Sequence, residues 1–171
     1  MNGHMTNTER LLTEEQIRKF VMRNFREARA AATIQELVHF HTVNKFLLMA
    51  HSYDDTKVLG RLVANKSNLS LHLLLGMYEK QLESTLRKRP TNMSHSNVLQ
   101  KIFGYFKKDL LPDEKSTILR MISDYKNGLE PLEHIILSLE TLTRRIHKSY
   151  LVRQTYFLLY YPGKPRESLN R

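Results

Sequence analysis

Cysteine is absent from the 171 residues, which excludes disulfides, thiolate zinc sites, cysteine-held iron–sulfur clusters and cysteine nucleophiles. Glycine and proline are sparse, at 6 and 5, so long helices can run uninterrupted and a collagen-like or linker-rich chain is excluded. No apolar run approaches membrane length. The longest, at 46–50 and 156–161, fall far short of the roughly 20 residues a spanning helix needs. The first 20 residues are polar and hold no apolar h-region, so no signal peptide is expected. A cytoplasmic protein with no membrane association fits these absences. Gly3-His4-Met5 is compatible with a cloning remnant, and His4 is given no function.

The chain does carry charge of one sign in excess. There are 27 basic and 17 acidic side chains, for a net charge of +10. Such a balance attracts polyanions: nucleic acid, anionic lipid or acidic protein. The excess is spread evenly, with +2, +3, +2 and +3 over residues 1–52, 53–92, 93–128 and 129–171. Any basic surface must therefore be assembled by folding. Hydrophobic residues make up 41% of the chain, enough for one core at this length.

Helix signals recur along the chain and no alternating strand pattern of useful length interrupts them. Thr13 with Gln16, and Thr33 with Glu36, read as capping boxes, opening helices over about 14–32 and 34–52. Asp54 or Asp55 is the expected cap of a third helix. Asn68 or Ser70 starts a fourth at about 70–88, stopped by Pro90. Asn92 or Ser94 opens a fifth at about 94–109, and Pro112 with Asp113 and Glu114 marks a sixth that Gly128 ends. Pro131 starts a seventh over 131–148, and a shorter last helix covers about 149–158. The expectation is an all-α fold: a single compact domain of about seven to eight helices over 13–162, a disordered segment at 1–12 and a flexible tail at 163–171.

Few residues suggest independent chemistry. No two histidines beyond His4 stand three or four apart, so no helical metal site is present. A metal would need tertiary convergence, with Glu130 or Glu133 beside His134. No nucleophile elbow, phosphate loop or dinucleotide fingerprint occurs. No cofactor is expected. Two polar clusters stand out. In His41-Thr42-Val43-Asn44-Lys45 through His51-Ser52, His41 and Lys45 share a helix face; a histidine beside Phe46, Leu47 and Leu48 also suits a core or boundary position. In Ser94-His95-Ser96-Asn97, a helix start would offer free amides to phosphate; N-capping is the simpler role. Basic runs at Arg87-Lys88-Arg89, Lys107-Lys108, and Arg144-Arg145 with Lys148 lie near helix C-termini, which stabilise cations by themselves. Aromatics interleave with bases at 105–108 and 150–161, a mixture that suits phosphate contact plus base stacking.

The same clusters carry a resemblance. HTVNKFLLMAHS (41–52), LGRLVAN (59–65), HSNVLQKIFGYFK (95–107), DYKNGLEPL (124–132) and YLVRQTYFLLYYP (150–162) resemble the YbgA family. The resemblance implies a small helical domain, found alone or as the C-terminal part of proteins whose N-terminal domain is similar to cysteine-ligated iron–sulfur desulfidases of thiolated uracil. In such fusions it looks like the tRNA-recognising module. A chain without cysteine does not inherit the desulfidase chemistry. The expectation is an RNA-binding module for structured RNA such as tRNA, thiolated tRNA included. Its expected contact residues are His41, Lys45, His51, Arg61, His95, Asn97, Lys101, Lys107, Arg153, Gln154 and Tyr156. Two alternatives stand beside it. One is a protein-interaction domain for a separately encoded desulfidase-like or nucleic-acid-modifying partner. The other is an enzyme acting on a nucleotide or modified base through His41, Lys45, His51, His95 and Asn97.

Overall fold

The computed structural model describes residues 12–160, and among these there are nine helices and no strand. They are α1 Glu14–Ala31, α2 Ile34–His51, α3 Tyr53–Ala64, α4 Leu71–Arg87, α5 Asn92–Phe106, α6 Pro112–Lys126, α7 Leu132–Arg145, α8 Ser149–Val152 and α9 Thr155–Tyr160. None is long and apolar enough to cross a membrane. The expectations for the two ends of the chain fall on 1–11 and 161–171, outside the described residues.

Local signals place most boundaries. Thr13 caps α1 reciprocally with Gln16, whereas Thr33 caps α2 by accepting from the Glu36 N–H. Ser70 caps α4. Pro112 occupies the first position of α6, and the Glu114 carboxylate accepts from the Leu111 N–H. Gly128 ends α6 at φ 76, with its N–H on the Tyr125 carbonyl and the Leu129 N–H on the Asp124 carbonyl. That is the pairing in which glycine relieves the left-handed turn.

Three expected boundaries move. Ser52, not Asp54 or Asp55, caps α3, its hydroxyl accepting from the Asp55 N–H. Tyr53 therefore joins the first turn, and Asp54 and Asp55 sit where the helix dipole favours anions. Thr91 caps α5 in a reciprocal box with Ser94, and the His95 N–H bonds to the Thr91 carbonyl. The amides at 95–97 are thus inside the helix and not free for phosphate. The last expected helix is broken in two at Arg153–Gln154.

Helix α2 is the axis of the fold. Six consecutive residues, Phe46 to His51, are buried, which requires neighbours on every side of the helix. Helices α1, α3, α4, α5 and α9 supply them. The α1–α2–α4 junction is filled by Phe25, Phe40 and Tyr78, with ring centroids 5.3 to 6.1 Å apart. Helices α5, α6 and α7 pack in succession on the far side, and α9 returns to close against α2 and α7. The break before α9 explains itself at Gln154. Its side-chain amide donates to the Thr42 carbonyl at 2.9 Å and accepts from the Phe46 N–H at 3.4 Å, clasping one turn of α2.

Candidate functional site

Where α2, α3 and α5 meet, a pocket of about 400 Å³ opens, lined by His41, Lys45, Phe46 and Met49 of α2, Tyr53, Thr56, Lys57 and Gly60 of α3, and Lys101 and Tyr105 of α5. The helical period puts these side chains together. His41, Lys45 and Met49 recur every four residues, as do Tyr53, Lys57 and, one helix over, Lys101 and Tyr105. Three lysines line the space and no carboxylate does. Lys57 bonds Asp54 at the rim, at 2.8 Å. Neither Lys45 nor Lys101 is in an ion pair among the described residues. The Lys57 and Lys101 ammonium nitrogens lie 4.8 and 5.2 Å from the centre of the same Tyr53 ring, so that ring gathers two cations by its quadrupole.

His41 is held from behind. Its Nδ1 is 2.9 Å from the hydroxyl of the buried Tyr78. Burial pushes the Tyr78 hydroxyl well above its usual range, so the phenol keeps its proton, and because Nδ1 is that hydroxyl's one hydrogen-bond partner among the described residues, the arrangement that satisfies it has the phenol donating to Nδ1. The other imidazole nitrogen, Nε2, then carries the hydrogen and looks across Gly60, where a Cβ would stand 3.6 Å away. Burial first, and the Lys45 charge second, push His41 down to about 4. Near neutral pH His41 is therefore an uncharged, oriented N–H donor among three lysines. Tyr105, 46% exposed, forms a wall fixed by Phe46 and Tyr150 at centroid distances of 6.1 and 5.7 Å.

Of the expected contact residues, His41, Lys45 and Lys101 come together here. Arg61 is exposed on α3 four residues beyond Lys57, and Asn97 is exposed on α5 four residues before Lys101, so both flank the pocket along its own helices. Lys107 and Arg153 are exposed at the end of α5 and at the α8–α9 break, and neither lines it. His51, His95, Gln154 and Tyr156 are buried. Their side chains bind helices to one another and offer nothing to a macromolecule's surface. The cluster His41, Lys45, His51, His95 and Asn97 is accordingly divided between pocket and interior. His134 pairs with Glu130 on the surface at 2.8 Å.

The interior polar residues form a chain of their own. His95 Nδ1 is 2.9 Å from the Tyr156 hydroxyl, and its ring stands edge-on to Tyr160 at 4.9 Å. Tyr160 donates to Glu14 at 3.1 Å. The other Glu14 oxygen is 3.5 Å from His51 Nε2, while His51 Nδ1–H donates to the Lys88 carbonyl at 2.7 Å. Burial is the main cause that lowers both histidines, His95 to about 4.

A second basic concavity, about 740 Å³, lies along α1 and α4 and was not anticipated from the sequence. Arg18, Lys19, Arg23, Arg26 and Arg87 line it together with Glu83. Several of the basic runs singled out earlier are tied to carboxylates: Lys88 to Asp55 at 2.6 Å, Arg145 to Glu114 at 2.7 Å and Lys148 to Asp109 at 3.1 Å.

Comparison with known proteins adds a family without a function. A family model described as a protein of unknown function, DUF1722, matches residues 45–162. An uncharacterized protein, YbgA of Escherichia coli (strain K12), is 25% identical over 125 residues, covering 72% of this chain and 74% of that protein. No solved structure matches the chain significantly.

Proposed function

The chain belongs to the DUF1722 family, and from that premise we propose that it is a nucleic-acid-binding module for structured RNA such as tRNA, with the α2–α3–α5 pocket as its contact centre. One observation carries the reading: three lysines and an oriented neutral histidine converge on a pocket that no carboxylate lines. Lys45 and Lys101 have no counter-ion among the described residues, and an anion arriving between them is worth more than at a lone surface lysine. Every lining residue except His41 lies within the part of the chain that the family model matches, whereas the α1 side of the arginine concavity lies outside it. Exposed Tyr105, with Arg61 and Asn97 beside the pocket, adds a stacking surface and further donors for phosphate and base.

The test is binding of a transfer RNA across a salt series by the native protein and by the Lys45→Ala/Lys101→Ala double variant. Affinity should fall steeply with salt, and loss of two phosphate contacts should flatten the log–log slope by roughly 1.4 to 2. No binding at low salt by the native protein sinks the proposal. Undiminished binding by the double variant moves the contact away from this pocket. A desulfidase-like or nucleic-acid-modifying protein partner is the alternative occupant, and capture that survives nuclease treatment would favour it.

A further inference from the structure

We propose that the α2–α3–α5 pocket takes a terminal phosphate, the phosphomonoester of a nucleotide or of a strand end, in preference to a phosphodiester inside a strand. The inference rests on reading the pocket as a nucleic-acid contact and specifies what enters it. Shape is the first argument. The space is a half-open pocket of about 400 Å³ between three helices, and it falls in the size range of small-molecule sites, about 300 to 1,000 Å³. A phosphate inside a strand brings a sugar on each side and needs two exits; a terminal phosphate needs one.

Charge is the second argument. A phosphomonoester carries about −1.5 to −2 at neutral pH, and a diester carries a single negative charge. Lys57 is already paired with Asp54, which leaves Lys45 and Lys101, two charges that a monoester matches and a diester does not. The Lys57 and Lys101 nitrogens share the Tyr53 ring, so they are no farther apart than their two distances to its centre together.

The floor of the pocket adds a donor. His41 Nε2 faces the one residue of α3 in the pocket that has no side chain, Gly60. Gly60 is in mid-helix and its φ is not positive, so the turn does not require glycine there. Its absence of a side chain leaves room in front of the imidazole N–H for an oxygen, and the Tyr78 hydrogen bond behind fixes the donor's direction. Tyr105 stands beside this space, exposed enough to stack on the base attached to the phosphate.

The experiment measures binding, by fluorescence anisotropy, of one short single-stranded RNA carrying a 5′-phosphate, a 3′-phosphate or hydroxyls at both ends. Adenosine monophosphate and adenosine serve as competitors. A phosphorylated end should bind at least roughly tenfold tighter than the hydroxyl-ended strand, the worth of one charge-assisted contact. Adenosine monophosphate should compete and adenosine should not. Gly60→Ala should erase the preference while raising or preserving the melting temperature, since alanine is the better helix former and its methyl would meet His41 at an ordinary contact distance. Lys101→Ala should also erase it. Equal binding of all three strands overturns the inference and leaves the RNA reading intact. Direct binding of adenosine monophosphate, read by calorimetry, without binding of any RNA upholds the inference and removes the RNA reading. No binding of any probe removes both.

Discussion

His41 and His95 are the same local device in two places. Each presents Nδ1 to a buried tyrosine hydroxyl at 2.9 Å, and each is pushed down to about 4, mainly by burial. They differ in what the rest of the ring meets. His41 Nε2 looks over Gly60 into the pocket; the His95 ring is closed in by Tyr125 and Tyr160. A glycine makes the first histidine an available donor, and tyrosines make the second a peg between α5 and α9. A histidine–tyrosine pair therefore says little about function until its second nitrogen has been followed.

The largest effect that could break this comparison is on stability. His95→Ala removes a buried ring and leaves the Tyr156 hydroxyl unpaired in the interior, so it should cost about 3 to 5 kcal/mol. His41→Ala opens toward the pocket, where water can reach the Tyr78 hydroxyl, and should cost about 1 kcal/mol. Denaturant unfolding of both variants checks the order, and a larger loss at His41 would mean that the pocket is part of the core. The RNA affinities should rank the other way, with His41→Ala the weaker binder of the two folded proteins.

Acid comes next. Both histidines have folded values near 4 against 6.5 when unfolded, so between those values the unfolded chain binds more protons. Stability must therefore rise with pH across that window, be fully present above about 6.5, and be lost as pH falls toward 4. His51 shifts in the same direction. For His95 alone the loss amounts to about 3 kcal/mol at the acid end. Unfolding curves at pH 7, 5.5 and 4.5 measure it. In His95→Gln the slope should be shallower; a slope that Gln leaves unchanged would place the protonation elsewhere.

The helices were legible because caps and stops are local. The errors fall where neighbouring residues compete for one role, as Ser52 does with Asp54 and Asp55, and Thr91 with Asn92 and Ser94. The break at Arg153–Gln154 had no local signal, since its reason is a hydrogen bond to Thr42, 112 residues away. The proposed site was half legible. His41, Lys45 and Lys101 stood out as polar residues in apolar helical context. Tyr53 and Lys57 were missed because the expected cap left Tyr53 outside α3, which hid the face that runs Tyr53, Lys57, Gly60, Arg61. His51, His95, Gln154 and Tyr156 were expected on the surface because an unusual polar residue looks alike whether its partner is a ligand or another helix. The clue at His51 was its place at the end of the apolar run Phe46–Ala50, all of it buried.

The smallest effect separates the two basic concavities. The arginine groove is the larger and holds five cations, so by charge alone it would be the better binder. Its cations are not arranged like those of the lysine pocket, however. No carboxylate lines the lysine pocket, and Lys45 and Lys101 there are in no ion pair among the described residues, whereas Glu83 lines the groove and Lys19 is paired with Glu15 at 2.9 Å. Charges of this kind act on a polyanion at long range, through a field that salt screens over about 8 to 10 Å. Arg26→Ala with Arg87→Ala should thus weaken binding of a long structured RNA by roughly threefold at low salt and hardly at all at physiological salt. The preference for a phosphorylated end should not move, because it depends on donors that converge on one phosphate rather than on total charge. If the arginine variants erase that preference and the lysine variants do not, the two concavities must exchange roles, and the oriented His41 donor becomes a structural peg like His95.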